Sequence, residues 1–424
     1  MMRFPRRFFL AVSTAILLLP GAAGAADWPT LHQNGSRTGF TEDSVRGPYH
    51  LDWVREFPQE TLPTRVEAIV AGGRVFVGTL SGNLHALDRR TGRTVWTAPL
   101  GGPILHSPSV SGGTVYAATA GAQGAVTALD SGTGRARWRF PCRGGFAASP
   151  LVVGDRVYLG SRSGEFFGLD AATGRQRSRL LTRGPIRCTA ATDGKRVYFA
   201  SDDMRAYAVD ARTGAEVWRS APLAGQSFRD YYPVILGDRV LFRSVLGEDV
   251  NRELNGGTGF LQELAGLPPG WKALESFLKS GESRGTPELE QAEQAAILQR
   301  LQDHPTRRTC FLLDAATGRE SAALPVMYIA GNQGCGLPPA LTRDQRPLLL
   351  YRTVYGNWSR GVKPGVGIGY LNTQSGLLEP LRHAQGNEPP WNTFWGTSDE
   401  STALSVGGDL LYLTHQGTLA ALNL

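Results

Sequence analysis

The 424-residue chain is poor in several residue types that carry chemistry. It has four cysteines, at 142, 188, 310 and 335, and no two are adjacent or form a Cys-x-x-Cys pair. That excludes c-type haem attachment and a thioredoxin-like dithiol. No Gly-x-Ser-x-Gly elbow, His-Glu-x-x-His pair, Walker lysine loop or EF-hand loop occurs, which removes the commonest hydrolase, zinc-protease, nucleotide and calcium signatures. After residue 25 no apolar run is long enough to be a membrane helix. Charged residues make up only 19%, and Lys195, Lys272, Lys279 and Lys363 are the only lysines. No basic run reaches five residues, so the scattered arginines read as a solvated surface and not as a nucleic-acid site.

Glycine and proline are plentiful, with 53 and 26 residues. Beside a 41% hydrophobic fraction this argues for a globular, turn-rich, strand-rich chain. Residues 1–25 stand apart. Arg3, Arg6 and Arg7 precede the apolar stretch Phe8–Leu19, and Ala23-Gly24-Ala25 offers small residues for cleavage, as in a secretory leader. Arg6-Arg7-Phe8-Phe9-Leu10 reads either as an ordinary basic start or as a twin-arginine motif. Loss of the leader brings the formal charge of +7 to +4, because it holds three arginines and no acid. No cysteine lies near the cleavage point, so a soluble periplasmic or secreted protein is expected, without a lipid anchor there.

The string LDAATGR occurs twice, at 169–175 and 313–319, with looser copies LDRRTGR at 87–93, LDSGTGR at 129–135, VDARTGA at 209–215 and LNTQSGL at 371–377. A truncated unit ends the chain at ALNL. Asp88, Asp130, Asp170 and Asp210 recur at a period near 40, which marks a propeller or solenoid; Asp314 belongs to the fifth copy. Each unit holds short apolar strands separated by turns, enough for a four-stranded antiparallel blade. In the turn the aspartate accepts nearby backbone N–H groups, and the glycine takes positive φ without strain. Trp96, Trp138 and Trp218 lie four residues past the glycine, where a flat indole can wedge between neighbouring blades. Ser178 and Ala322 break the pattern, so weaker contacts are expected there.

The units Ala86–Trp96, Ala128–Trp138 and Ala208–Trp218 resemble the tryptophan-docking repeat of PQQ-like β-propellers. The opening Trp28-Pro29 and Ser36-Arg37-Thr38-Gly39 resemble the start of such chains. The resemblance implies an all-β fold, a propeller over residues 26–424 with seven blades, or eight if a divergent copy is present. It is specific for fold and poor for function, since quinoprotein dehydrogenases and non-catalytic BamB-like scaffolds share the repeat. The ring is expected to close through the N-terminal strand, His50–Arg55, paired with Leu419–Leu424, and Trp53 then supplies the last blade's tryptophan.

The period fails between Val245 and Thr309. Residues 246–308 carry helical spacing at Trp271, Leu274, Phe277 and Leu278 and a helix start at Thr286-Pro287-Glu288. They read as a helical insert between the second and third strands of blade five. That insert enters on the face where first and third strands begin. The alignment also brings Cys142, Cys188, Cys310 and Cys335 to that face. Of the three possible connectivities, Cys142–Cys188 with Cys310–Cys335 is expected, and free thiols are the alternative.

The same face collects loops with Arg229, Tyr231, Asn332, Trp391, Trp395, Asp399 and Glu400. Aromatics with a few charges on a loop rim suit a protein or peptide partner. Packing over their own blades is the competing reading, evenly balanced for Trp391 and Trp395 and favoured for Tyr231. His106, Arg187, Arg229 and Tyr231 form a third possibility, a small ligand or polysaccharide in the central channel. The resemblance also implies what an enzyme needs: pyrroloquinoline quinone, a calcium or lanthanide ion, a catalytic carboxylate, and often vicinal cysteines. Asp399, Glu400, Asn332 and Arg229 are the only such group at the channel mouth, and vicinal cysteines are absent. The expectation is therefore an exported, monomeric, cofactor-free scaffold for another cell-envelope protein or extracellular ligand. A quinone-dependent alcohol or sugar dehydrogenase is the alternative.

Overall fold

The computed structural model describes residues 27–43, 52–63, 67–229, 231–245, 301–323, 325, 338–353 and 365–381. It also describes helical positions between 291 and 299 and the strand residues 357–358, 361–362, 403–407, 410–415 and 418–423. Among these residues the chain is a β-propeller. Ile69–Ala71, Arg74–Gly78, Asn83–Asp88 and Thr94–Pro99 form sheet one. Ser109–Ser111, Thr114–Ala118, Ala125–Asp130 and Ala136–Pro141 form sheet two. Leu151–Val153, Arg156–Gly160, Glu165–Asp170 and Gln176–Leu181 form sheet three. Ala191–Thr192, Arg196–Ser201, Arg205–Asp210 and Glu216–Arg219 form sheet four.

Sheet five has three strands, Val234–Leu236, Arg239–Arg243 and Cys310–Asp314. Sheet six comprises Ala340–Leu341, Pro347–Thr353, Gly365–Leu371 and Leu378–Pro380. A small ribbon, Asn357–Trp358 with Gly361–Val362, rises from its middle hairpin. Sheet seven joins Phe40–Thr41 to Ala403–Gly407, Leu410–His415 and Thr418–Asn423. Each sheet is a meander of neighbouring antiparallel strands, apart from the parallel pairing of Phe40–Thr41.

The middle strands are buried on both faces, because each blade is sandwiched between two others. Val75, Phe76 and Val77 are all buried, and so are Leu84, His85, Ala86 and Leu87. The outer strands alternate instead between exposed and half-buried residues, as an edge should. A register shift recurs just before the repeat turn, at Ala86/Leu87, Ala128/Leu129, Gly168/Leu169 and Ala208/Val209. The turn that follows is built as its letters require. Asp88 Oδ1 accepts N–H groups from Arg90 and Thr91 at 3.1 and 2.9 Å, and the Thr91 hydroxyl at 2.8 Å. Gly92 sits at φ +66° with its Cα face against the Trp53 ring, where a Cβ would come within 2.6 Å of the indole.

Six seams between blades use one acceptor, the carbonyl just after the turn aspartate or asparagine. The indole N–H of Trp53 donates to Arg89 O, Trp96 to Ser131 O, Trp138 to Ala171 O and Trp218 to Ala315 O, at 2.9–3.0 Å. The two copies without tryptophan keep a donor at this carbonyl but lack the indole that shares it with a tyrosine elsewhere, as Trp138 does with Tyr116 at Ala171 O. At Ser178 the Tyr158 hydroxyl donates to Ala211 O at 2.9 Å. Tyr158, Phe166, Phe199 and Tyr207 then stack successively across that seam, the closest ring centroids 3.7 Å apart. At Ala322 the Arg239 guanidinium donates to Thr373 O.

Ring closure differs from the sequence expectation. Asp52–Arg55 form no strand, and the outer side of Thr418–Asn423 meets no strand among the described residues. The N-terminal strand that joins the last sheet is Phe40–Thr41, on its inner edge, parallel to Val406–Gly407. Trp53 nevertheless occupies the seat of a last-blade tryptophan, on the Asp88 turn. The reason lies in the stretch before it, which the repeat pattern does not cover.

Residues 28–41 make a belt around the channel wall. Trp28 bridges Val70 of sheet one, and Val110 of sheet two donates to Pro29 O. Thr192 of sheet four donates to Gly35 O, Ile235 of sheet five to Ser36 O, Leu341 of sheet six to Thr38 O, and Val406 of sheet seven to Gly39 O. The belt thus satisfies the free inner edges of six sheets in succession.

The expected Cys142–Cys188 disulfide is absent. Cys142 and Cys188 are buried thiols in different seams, the first between sheets two and three, the second between sheets four and five. Their strands begin or end on one face, but the side chains turn into separate apolar layers. Cys310 is buried between sheets five and six, and its expected partner Cys335 lies outside the described residues. Burial pushes the Cys188 thiol up to about 12, and it raises Cys142 and Cys310 as well.

Residues 244–309 leave sheet five between its second and third strands, which pair directly from Arg239↔Asp314 to Arg243↔Cys310. Helical positions are described from 291 to 303, and the rest of 246–290 lies outside the described residues. Gln294 reaches sheet six, where its amide donates to Leu378 O at 2.9 Å and accepts from Leu378 N at 2.8 Å. One side chain thus imitates a strand along an open edge. No described helix is long and apolar enough to cross a membrane.

Candidate functional site

The loops that open the first strands of sheets four and five bring together three of the residues singled out in the sequence, Arg187, Arg229 and Tyr231. Arg187 and Arg229 form a parallel bridge across the seam. Arg187 Nε lies 3.6 Å from Asp202 Oδ2, while Asp202 Oδ1 accepts the Ser227 hydroxyl at 2.8 Å and Phe228 N–H at 3.0 Å. One carboxylate therefore holds the 225–229 loop in shape and orients the arginine beside it. Arg243, which the sequence reading overlooked, stacks its guanidinium 4.9 Å over the Tyr231 ring. Tyr231 is buried and its carbonyl accepts Thr189 N–H, so its role is packing as much as recognition. His106 lies in the loop before the first strand of sheet two, half-buried. Asn332, Trp391, Trp395, Asp399 and Glu400 lie outside the described residues. So do the partners Arg229 would need for a quinone and metal group.

Behind this mouth the channel is filled by the belt and the residues it recruits. Arg37 is wholly buried, with φ +59°. Its Nη1 donates to Leu31 O at 2.6 Å and Thr30 Oγ1 at 2.8 Å, and its Nε to Ala190 O at 3.1 Å. Burial pulls the guanidinium down to about 10, which leaves it charged at neutral pH. Glu67 is the belt's carboxylate. It accepts His32 N–H at 2.7 Å and the Trp28 indole at 3.1 Å, with His32 Nδ1 at 3.7 Å. Burial pushes the Glu67 carboxyl up, but the His32 and Trp28 contacts outweigh it and hold it below the usual range. The His32 ring lies 5.0 Å from that of Tyr232. The signal for this belt was present in Trp28, Ser36, Arg37 and Gly39, which sequence reasoning used only as a likeness. Glu67 and Glu60 carried no signal.

A second, partly buried polar cluster lies at the closing seam. Glu60 accepts the Thr79 hydroxyl at 2.5 Å and faces His85 Nε2 at 3.1 Å, while His85 Nδ1 meets Thr97 Oγ1 at 2.9 Å. It fastens residues 57–61 to sheet one, with Phe57 against the imidazole. Among the described residues no three histidines, cysteines or carboxylates converge as a metal site.

The model for the family described as outer membrane protein assembly factor BamB matches residues 50–184 and 178–262, half of the chain. The chain belongs to this PQQ-like repeat β-propeller family. Among solved structures it is similar to a europium-containing methanol dehydrogenase, with TM-score 0.54 and 11% identity over 94% of this chain and 85% of that one. It is similar to the quinohemoprotein alcohol dehydrogenase of Comamonas testosteroni, with TM-score 0.53 and 13% identity over 94% and 71%. BamB of Moraxella catarrhalis gives TM-score 0.45 and 18% identity over 82% and 79%. At these identities the two dehydrogenases show the PQQ-like propeller fold alone. No curated protein matches the chain.

Proposed function

We propose that this PQQ-like propeller is an exported, non-catalytic scaffold that holds another cell-envelope protein against its loop face. The observation that supports this reading most is the match of the assembly-factor family model to sheets one to four and the first two strands of sheet five, which includes the Arg187–Arg229 mouth. The loop face is set by a rigid ring. Asp202 orients Arg187 and holds the 225–229 loop, and Phe228 and Tyr231 are buried behind it, as in a surface that docks without reorganising. The leader-like residues 1–25 support export.

The test is site-specific photo-cross-linking in the source organism's own envelope. A cross-linking residue at Arg187 or Gln226 is expected to capture one envelope protein, and the same residue at Arg212, on the opposite turn face, is expected not to. Equal capture from Arg212, or none from the loop face, overturns the proposal. So does turnover. If the purified chain with added pyrroloquinoline quinone and calcium shows a bound-quinone absorption band and reduces a dye with alcohols or sugars, the protein is an enzyme.

A further inference from the structure

Charge is distributed very unevenly along this chain. Residues 135–187 hold eleven arginines, no lysine and three carboxylates, Asp155, Glu165 and Asp170, a net +8. The whole chain carries +7, so everything else sums to −1. Runs of like charge do not reveal this, because the arginines alternate with other residues. In the fold six of them, Arg135, Arg137, Arg139, Arg175, Arg177 and Arg179, lie on the outer strands of sheets two and three or on the turns that lead into them. Arg137 and Arg139 lie on Ala136–Pro141, and Arg177 and Arg179 on Gln176–Leu181, all exposed. Arg137 pairs with Asp130 at 2.7 Å, Arg177 with Asp170 at 2.6 Å, and Arg179 with Glu165. Arg135, Arg139, Arg143, Arg162, Arg175 and Arg183 are exposed, and none lies in an ion pair with a described carboxylate.

Two further features distinguish this flank from a merely solvated one. Both outer strands are free edges: each is the last in its sheet, and its outward backbone groups meet no strand among the described residues. The groove between them has two unlike walls. Phe140 packs edge-on against Phe167, with centroids 5.1 Å apart, so Trp138 and Phe140 form the wall on sheet two. Arg179 is the cross-strand neighbour of Phe167, so it and Arg177 face the same groove from sheet three. An arginine at every second residue on an open strand matches the two-residue period of another strand. A bilayer or a duplex would read the charge but not the period, and would leave the edge unpaired.

We propose that this flank is a docking site for an acidic, extended polypeptide segment that adds to the free edge of Gln176–Leu181, its carboxylates opposite Arg177 and Arg179. The surface is separate from the loop face, and the two stand or fall independently.

The test uses the full mature chain and a fluorescent peptide of alternating glutamate and valine, read by anisotropy. Binding is expected at low salt, weakening as salt rises. The R175E/R177E/R179E variant reverses the arginines along the open edge of Gln176–Leu181 and is expected to bind at least tenfold more weakly. R212E/R319E, on the turns of sheets four and five, is expected to bind within twofold of the parent. If the triple variant fails to fold by circular dichroism, the corresponding glutamine variant replaces it. A peptide N-methylated at alternate residues is expected to lose binding. The proposal is overturned if the peptide does not bind, if the triple variant binds as the parent does, or if N-methylation changes nothing. It is also overturned if vesicles containing anionic phospholipid bind more tightly than the peptide and show the same dependence on the arginines.

Discussion

Tyr158 and Tyr116 occupy equivalent places and make similar contacts, yet their hydroxyls have different weight. Tyr116 shares the Ala171 carbonyl with the Trp138 indole, at 3.2 and 2.9 Å. Tyr158 is the closest donor at Ala211 O, because Ser178 stands where the indole should be. Tyr158→Phe is therefore expected to cost about 1 kcal/mol of unfolding free energy, and Tyr116→Phe well under half of that, read from urea midpoints. Equal losses would show that the shared carbonyl does not decide the matter.

The turn aspartates give a second residue-scale expectation. Hydrogen bonds from Arg137, then from the Thr133 hydroxyl and N–H, hold Asp130 at about 2 instead of 3.8. Arg177 and Thr173 do the same for Asp170. A carboxylate with a depressed folded-state value stabilises fully above its unfolded value and loses that contribution as pH falls through the folded one. Stability is thus expected to fall between about pH 4 and pH 2. D130N/D170N, which keeps an acceptor in each turn but cannot titrate, is expected to flatten that part of the profile.

At the scale of the element, the repeat letters carried most of the blade. Asp88, Gly92 and Trp96 read correctly as turn and wedge because their chemistry is local, within one hairpin and its neighbour. Arg239 was not legible as a stand-in for tryptophan, since it acts from a different strand than the residue it replaces. The cysteines misled for a related reason. Alignment places strand ends on a face, but it does not say which seam a side chain enters. The loop-face residues were legible as a group only for Arg187, Arg229 and Tyr231, whose loops open adjacent first strands. The insert was legible as an interruption of the period, whereas its Gln294 seat on Leu378 was not. Gln294→Leu is expected to free that edge and speed limited proteolysis of residues 246–303 several-fold, with little change in overall melting. An unchanged cleavage rate would mean that other contacts hold the helix.

For the molecule as a whole, the belt matters more than any single seam. Arg37 joins the belt's own turn to sheet four through three hydrogen bonds from a wholly buried site. Arg37→Met keeps much of the bulk but leaves the Ala190 and Leu31 carbonyls without their donor. It is expected to destabilise by about 3 kcal/mol or more, seen as a lower denaturant midpoint. Trp53→Ala loosens the opposite side of the same closure and is expected to lower the melting temperature by several degrees. A normal melt for both variants would place the closure elsewhere.

A segment synthesised near the beginning, which finds its final neighbour only at Val406, also sets a timetable. Stretches emerging from a ribosome or a translocation pore can form individual hairpins as they appear. The circle cannot lock until the polypeptide is nearly all delivered, and contacts this distant in sequence form slowly. Such an arrangement keeps the nascent protein loose enough to thread through a narrow passage. Any copy truncated before its final hairpins would be left unlatched, for quality-control proteases to remove.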